Sequence, residues 1–224
     1  MSIQKNIQWF SQEVLPAGVQ LVAVTKTKPP EDILEAYHAG HRDFGENKVQ
    51  ELVDKYHQLP QDIRWHMIGH LQSNKVKYIA PFVHLIHGAD KPKLLKIIDK
   101  EGKKNDRVLD VLLQFHIARE ETKFGFDEQE ARQMLDSDEF RGYNFIRVRG
   151  VMGMATLTGD TGQIRSEFRH LGQIFKELKS DYFADQPHFD QISMGMSHDY
   201  ALALEEGSTM VRIGSMIFGP RNNH

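Results

Sequence analysis

The sequence predicts an α/β fold: one closed (β/α)8 barrel of the TIM type, with an extra helix before the first strand, in a single domain over residues 1–224. Three observations carry that expectation. Short runs rich in β-branched residues recur eight times, and stretches with helical spacing and charge separate them. No linker rich in Gly, Ser or Pro and no low-complexity segment divides the chain, which leaves no room for a second domain. At 224 residues, 40% hydrophobic and 26% charged, the chain has the size and composition of one well-buried core. Eight units favour closure over the alternative, an open doubly wound sheet, because a barrel exposes no unpaired edge.

Taken in order, the predicted strands are 21–25 (LVAVT), 42–45 (RDFG), 64–68 (RWHMI), 82–87 (FVHLIH), 108–115 (VLDVLLQF), 146–152 (IRVRGVM), 189–193 (FDQIS) and 210–213 (MVRI). Between them, helical spacing predicts helices over 31–38, 49–59, 74–79, 92–100, 128–135, 162–179 and 199–205. Two helix starts carry a capping pattern, Asn47-x-x-Gln50 and Asp127-x-x-Glu130, in which a side-chain oxygen accepts from the free N–H groups of the first turn.

Composition excludes several classes. There is no cysteine for a disulfide framework, and residues 1–10 are too polar for a secretory signal, so a cytoplasmic location is expected. No apolar run approaches the roughly 20 residues that span a bilayer. A formal net charge of −3 does not by itself imply a basic face for nucleic acid, although the totals leave a local patch open.

In such a barrel, chemistry sits at the C-terminal ends of the strands, and the loops after strands seven and eight commonly hold phosphate. After strand seven comes Ser193-Met194-Gly195-Met196-Ser197, and strand eight runs into Gly214-Ser215. Glycine lets backbone N–H groups approach an anion, and serine adds a hydroxyl donor. Glycine and serine are also ordinary turn residues, and Ser197 alone reads equally well as a cap for the helix at 199. Lys26 ends the first strand, beside strand eight in a closed barrel. Alternation puts Met210, Arg212 and Gly214 on one face of strand eight, and a guanidinium at a barrel mouth needs a partner. A Schiff-base lysine, a phosphate cradle and an inward arginine together suggest a phosphorylated aldehyde.

Five ordered segments then match a known family: Val22-Ala23-Val24-Thr25-Lys26-Thr27-Lys28-Pro29, Phe44-Gly45-Glu46-Asn47-Lys48-Val49-Gln50-Glu51, Trp65-His66-Met67-Ile68-Gly69-His70-Leu71-Gln72-Ser73-Asn74-Lys75, Ser193-Met194-Gly195-Met196-Ser197, and Gly207-Ser208-Thr209-Met210-Val211-Arg212-Ile213-Gly214 through Phe218-Gly219. Over nearly its whole length the chain resembles the pyridoxal-phosphate homeostasis (YggS/PROSC) family, whose barrel is like the N-terminal domain of alanine racemases. The resemblance implies pyridoxal 5′-phosphate as cofactor, held as a Schiff base on Lys26, the first lysine of the Lys26-Thr27-Lys28 triplet. It implies Ser197, Gly214 and Ser215 around the phosphate, Gly195 and Met196 among the other cofactor-binding residues, and Arg212 against the pyridine nitrogen. Asn47 and His66 would line the ring pocket, although Asn47 also reads as a helix cap and His66 as a core histidine. The chain departs from the family at Thr25 (usually serine), Lys48 (often aromatic), Met67 (often phenylalanine) and the start of 118–125, Ala118-Arg119, where the family often has Ser-Gly.

The implied function is intracellular buffering of the cofactor or its delivery to apo-enzymes, by a monomer and without robust turnover. Two points motivate it. An arginine against the ring nitrogen disfavours the proton that makes the cofactor a strong electron sink. The racemase's second acid/base, a tyrosine, comes from a second domain that this chain is not expected to have. The alternative is a small amino-acid racemase on the same cofactor, or a lysine aldolase. Two further readings are weaker. The twelve histidines include His66 and His70, spaced to share a face, but without Cys or H-E-x-x-H no metal is expected. The helix over 92–100 presents Lys93, Lys96 and Lys100 on one face, which reads as a solvated barrel helix rather than a docking surface.

Overall fold

The computed structural model describes residues 2–120 and 124–220. Residues 121–123, in the middle of the predicted fifth-strand loop 118–125, lie outside the described residues. The strands are β1 (Gln20–Val24), β2 (Asp43–Glu46), β3 (Arg64–Met67), β4 (Leu85–Ala89), β5 (Leu109–Gln114), β6 (Ile146–Met152), β7 (Gln191–Met196) and β8 (Met210–Ile213). They close in sequence order into a barrel, with β1 pairing β8 from Gln20↔Met210 to Ala23↔Ile213 and every neighbour parallel. Helices α1 (Ile3–Trp9), α2 (Pro30–His38), α3 (Val49–Gln58), α4 (Val76–Ile79), α5 (Pro92–Lys104), α6 (Glu128–Asp136), α7 (Asp138–Arg141), α8 (Thr161–Asp181), α9 (Tyr200–Glu205) and α10 (Ser215–Phe218) accompany them. A π-helical turn, Phe10–Val14, continues α1.

Two strands start later than their apolar runs. Residues 82–83 belong to the end of α4, because the Phe82 and Val83 amides donate to Ile79 O at 3.1 and 2.8 Å, so β4 begins at Leu85. The Phe82 ring instead stacks on Tyr56 at 3.8 Å. Phe189 sits in a turn, its amide on Gln186 O, with its ring stacked on Phe183 and Phe175, and β7 runs from Gln191 to Met196. In both places aromatic packing outside the barrel supplied the apolar signal. The two four-residue helices α7 and α10 were not expected, and α5 extends four residues further than its pattern suggested.

Asp127 and Glu130 form the predicted reciprocal capping pair at α6. Asn47 does not cap α3: the N-cap position is Lys48, which makes no side-chain cap bond. Two packed layers result. Outside the strands, Phe44, Trp65, Ile86, Val111 and Val151 pack under the helices; inside, Val22, Leu85, Leu112, Met152 and Met210 fill the barrel. That interior layer is the floor on which the cavity rests. Among the described residues no helix is long and apolar enough to cross a membrane.

Candidate functional site

Above the interior layer, at the C-terminal ends of the strands, a cavity of about 600 Å³ opens, a size that suits a small cofactor. Its lining follows the two-residue alternation of each strand one step past the filled layer: Val24 and Lys26 after Val22, Asn47 after Gly45, Gln114 after Leu112, Met154 after Met152, and Arg212 and Gly214 after Met210. Met196, Ser197 and Ser215 complete the side formed by the loops after β7 and β8. Lys26, Asn47, Met196, Ser197, Arg212, Gly214 and Ser215 are thus brought together as predicted.

The two phosphate-type loops are joined directly. The Gly214 amide donates to Ser197 Oγ at 3.2 Å, so Ser197 bridges the loops and does not cap α9. Gly195 stands behind the wall rather than on it. Its φ of +95° and a Cβ position 2.6 Å from Ala203 Cβ require glycine, and this turn aims Met196 and Ser197 inward. On the opposite wall Gly69 is equally obligatory, because a Cβ there would stand 2.4 Å from Asn47 O.

His66, like Gly195, is a sequence-predicted residue that does not line the cavity. It does point into the barrel, but Ile68, two residues on, is the position that reaches the cavity. Two residues of strand are about 6.6 Å of depth, so His66 lies beneath the cavity, fully buried. Nor do His66 and His70 share a face. His66 contacts Asp43 and His87 inside the barrel, whereas His70, past the end of β3, lines the cavity with Nδ1 3.0 Å from Asp90 Oδ2 and its ring stacked on Phe124.

Arg212 links cavity and interior. Its guanidinium is buried, Nη1 donates to Ser193 Oγ at 2.6 Å and Nη2 to Gly153 O at 3.2 Å, and burial pulls its pKa down to about 10. Both acceptors are neutral, and among the described residues no carboxylate forms an ion pair with it. From Ser193 a chain of contacts descends: His87 Nδ1 at 3.0 Å, His87 Nε2 to His66 Nδ1 at 3.0 Å, and His66 Nε2 to Asp43 Oδ1 at 3.1 Å. Although burial pushes the Asp43 carboxyl up, bonds from Arg64 and His66 hold it well below the usual carboxylate range, so it is an acceptor. Burial, with the charge of Arg212 nearby, holds the His87 pKa well below the usual imidazole range and keeps it neutral. One direction satisfies every member: His66 donates to Asp43, His87 to His66, the Ser193 hydroxyl to His87, and Arg212 to Ser193.

Outside the wall, a second buried cation holds the strand end that carries Lys26. Lys55 Nζ donates to Thr25 O at 2.8 Å and to Glu46 Oε1 and Glu51 Oε1, both at 2.7 Å. Thr25 Oγ1 also donates to Glu46, and the Thr27 amide donates to Glu51 Oε1 at 2.6 Å. Thr25 and Thr27, on either side of Lys26, are both anchored. Lys28, which lines the cavity, ties down the chain end by donating to Phe218 O and Pro220 O. The sequence reading missed these supports, and it missed the lining residues Ile68, His70, Gln114, Phe124, Met154 and Leu157. Extending each strand's inward alternation by one step past its end would have found Ile68, Gln114 and Met154.

A parallel barrel with a lysine closing its first strand and a buried arginine on its eighth defines a racemase-like barrel: the family model for the alanine racemase N-terminal domain matches residues 1–222. The chain belongs to this family, and within it to the pyridoxal phosphate homeostasis proteins. The protein of that name from Aquifex aeolicus is 40% identical over 207 residues, covering 90% of this chain and 87% of its own. The one from Pasteurella multocida is 38% identical over 226 residues, covering 98% and 95%. The structure of PipY from Synechococcus elongatus PCC7942 with PLP bound superposes with a TM-score of 0.88 at 32% identity, covering 97% of this chain and 100% of that one. Alanine racemase from Bartonella henselae shares the fold alone: TM-score 0.72 at 14% identity, with this chain spanning 58% of its length.

Proposed function

We propose that this chain holds pyridoxal 5′-phosphate through Lys26 and buffers or delivers it, without robust turnover of a substrate. The observation that carries this is Arg212: a buried cation with only neutral partners, facing a cavity that also holds Lys26 and the bridged Ser197–Gly214 loops. Those residues fit the cofactor. Ser197, Gly214 and Ser215 would hold its phosphate, Lys26 Nζ its aldehyde, and Arg212 and Asn47 the ring, with Met196 packed beside them. When bound, the cofactor supplies a reactive aldehyde on an electron-withdrawing ring, and an arginine against the ring nitrogen mutes that withdrawal. Lys26 would contribute the amine, Arg212 a hydrogen-bond donor that leaves the ring nitrogen unprotonated, and the apolar side chains Val24, Ile68 and Met154 would shield Lys26 Nζ from water. The pyridoxal-phosphate-binding unit is one barrel domain, acting as a monomer in the cytoplasm, with apo-enzymes as recipients.

The absorbance of the purified protein before and after borohydride, followed by peptide mass mapping, tests this reading. A visible band near about 420 nm, of the kind a lysine-linked cofactor gives, is expected to collapse on reduction and leave the adduct on Lys26, and Lys26→Ala is expected to show no band. An adduct on another residue overturns the site. The racemase alternative needs a second acid/base, and His70, held by Asp90 in the cavity wall, is its candidate. Robust racemase activity lost in both Lys26→Ala and His70→Asn would establish that alternative instead.

A further inference from the structure

At the other end of the barrel, beneath the filled layer, side chains from three successive strands converge. Asp43 is the first residue of β2, His66 the third of β3, and His84 directly precedes β4. One carboxylate oxygen and one nitrogen from each imidazole lie within 4.8 Å of one another, and no other set of three or more such groups occurs among the described residues. His66 and His84 meet edge to face with ring centroids 5.3 Å apart. Pairing explains the meeting: Gly45↔His66 and His66↔Leu85 bring the three strands level, although 23 and 18 residues separate the ligating positions in sequence.

We propose that Asp43, His66 and His84 form a binding site for a divalent transition metal of the zinc class. Two imidazoles and one carboxylate are the donor set that such ions prefer, whereas magnesium and calcium favour oxygen alone. Bonds of about 2.0–2.2 Å space tetrahedral ligand atoms about 3.4 Å apart. His66 Nε2 and Asp43 Oδ1, 3.1 Å apart, already stand at that spacing. Only His84 has to close in, and it is the exposed member, with solvent available for the remaining position. Binding replaces the proton that His66 shares with Asp43 rather than opening a new cavity. Gln20 Nε2 and Arg64 Nε also donate to Asp43 Oδ1, at 2.9 and 2.7 Å, and orient the carboxylate as outer-shell partners do. The Arg64 charge opposes a cation, but its side chain is 47% exposed and can turn into water.

Occupancy has a consequence inside the barrel. A metal on His66 Nε2 obliges Nδ1 to carry the proton, so His66 donates to His87, His87 donates to Ser193, and the Ser193 oxygen then accepts from both His87 and Arg212 while its own proton turns away from His87. The site is therefore wired to the cavity without touching it.

Zn2+ titrated calorimetrically into the intact protein, with Co2+ as the visible-absorbing probe, tests the site against two exposed-histidine variants. His84→Ala removes a ligand at the surface, and His57→Ala, on α3, removes none. The wild type and His57→Ala are expected to bind one ion with equal affinity and to give a tetrahedral Co2+ band, and His84→Ala to bind at least tenfold more weakly with the band lost. Histidine 15N spectra are expected to move the His66 proton from Nε2 to Nδ1 on Zn2+ addition. Absence of the band in the wild type, equal binding by His84→Ala, or an unchanged His66 tautomer at saturation overturns the assignment.

Discussion

Two buried cations stand on opposite sides of the same barrel wall, and their surroundings differ. Lys55, outside, is 5% exposed and is bonded to two carboxylates and a carbonyl. Arg212, inside, is 4% exposed and is bonded to a hydroxyl and a carbonyl. Burying a charge is costly, and the cost is offset only where an opposite charge and hydrogen bonds accompany it. The outer region meets that condition within the chain, whereas the inner one leaves room for an anion or ring acceptor at the cavity. The first arrangement is structural and the second is suited to a ligand, so substitutions should separate them: stability is lost on one side and cofactor on the other.

The largest expected effect is that of Lys55→Ala. It leaves Glu46, fully buried and already pushed up by burial, without its cation, and should cost about 3–5 kcal/mol in urea unfolding. A loss below about 1 kcal/mol would erase the contrast. Next comes Asp43, the charge-matched carboxylate beneath the interior layer. Because its pKa is depressed on folding, its contribution is present above the unfolded carboxylate pKa of about 4 and fades as pH falls through the folded value. Asp43→Asn should therefore cost about 1.5–3 kcal/mol at pH 7 and progressively less toward about pH 3. An equal gap at both pH values would contradict the assignment of Asp43 as an ionised acceptor. The smallest change in stability belongs to Arg212→Met, expected within about 1 kcal/mol, since Ser193 keeps His87 as its partner and no carboxylate is ion-paired with Arg212 among the described residues. Its cofactor retention after dialysis should nonetheless fall at least tenfold, about 1.4 kcal/mol. Retention at the wild-type level would remove Arg212 from the site.

Much of this was legible locally. The eight strands were found, most with edges within one residue, and β4 and β7 were displaced by two or three residues where aromatic packing mimicked a strand, at Phe82 and Phe189. Lys26, Arg212 and the two Gly-Ser loops were found because barrel topology fixes which strand ends are neighbours. Asn47 was read both as a pocket residue and as a helix cap; it lines the cavity because inward alternation on β2 continues past the strand end, and the capping pattern fell one position out of place. Lys55 carried no signal, since a lysine in a charged helix reads as solvated until its neighbours are known.

By itself the sequence determined the eight-unit alternation, the face on which each strand residue lies and the motifs that carry the family. Only the tertiary structure decided depth. Period-two alternation says that His66 points inward, but whether an inward residue reaches the cavity or lies beneath it depends on strand tilt and stagger, which closure of the whole barrel imposes. The same geometry brings Asp43, His66 and His84 to one point from three separate strands. No local pattern encodes that meeting.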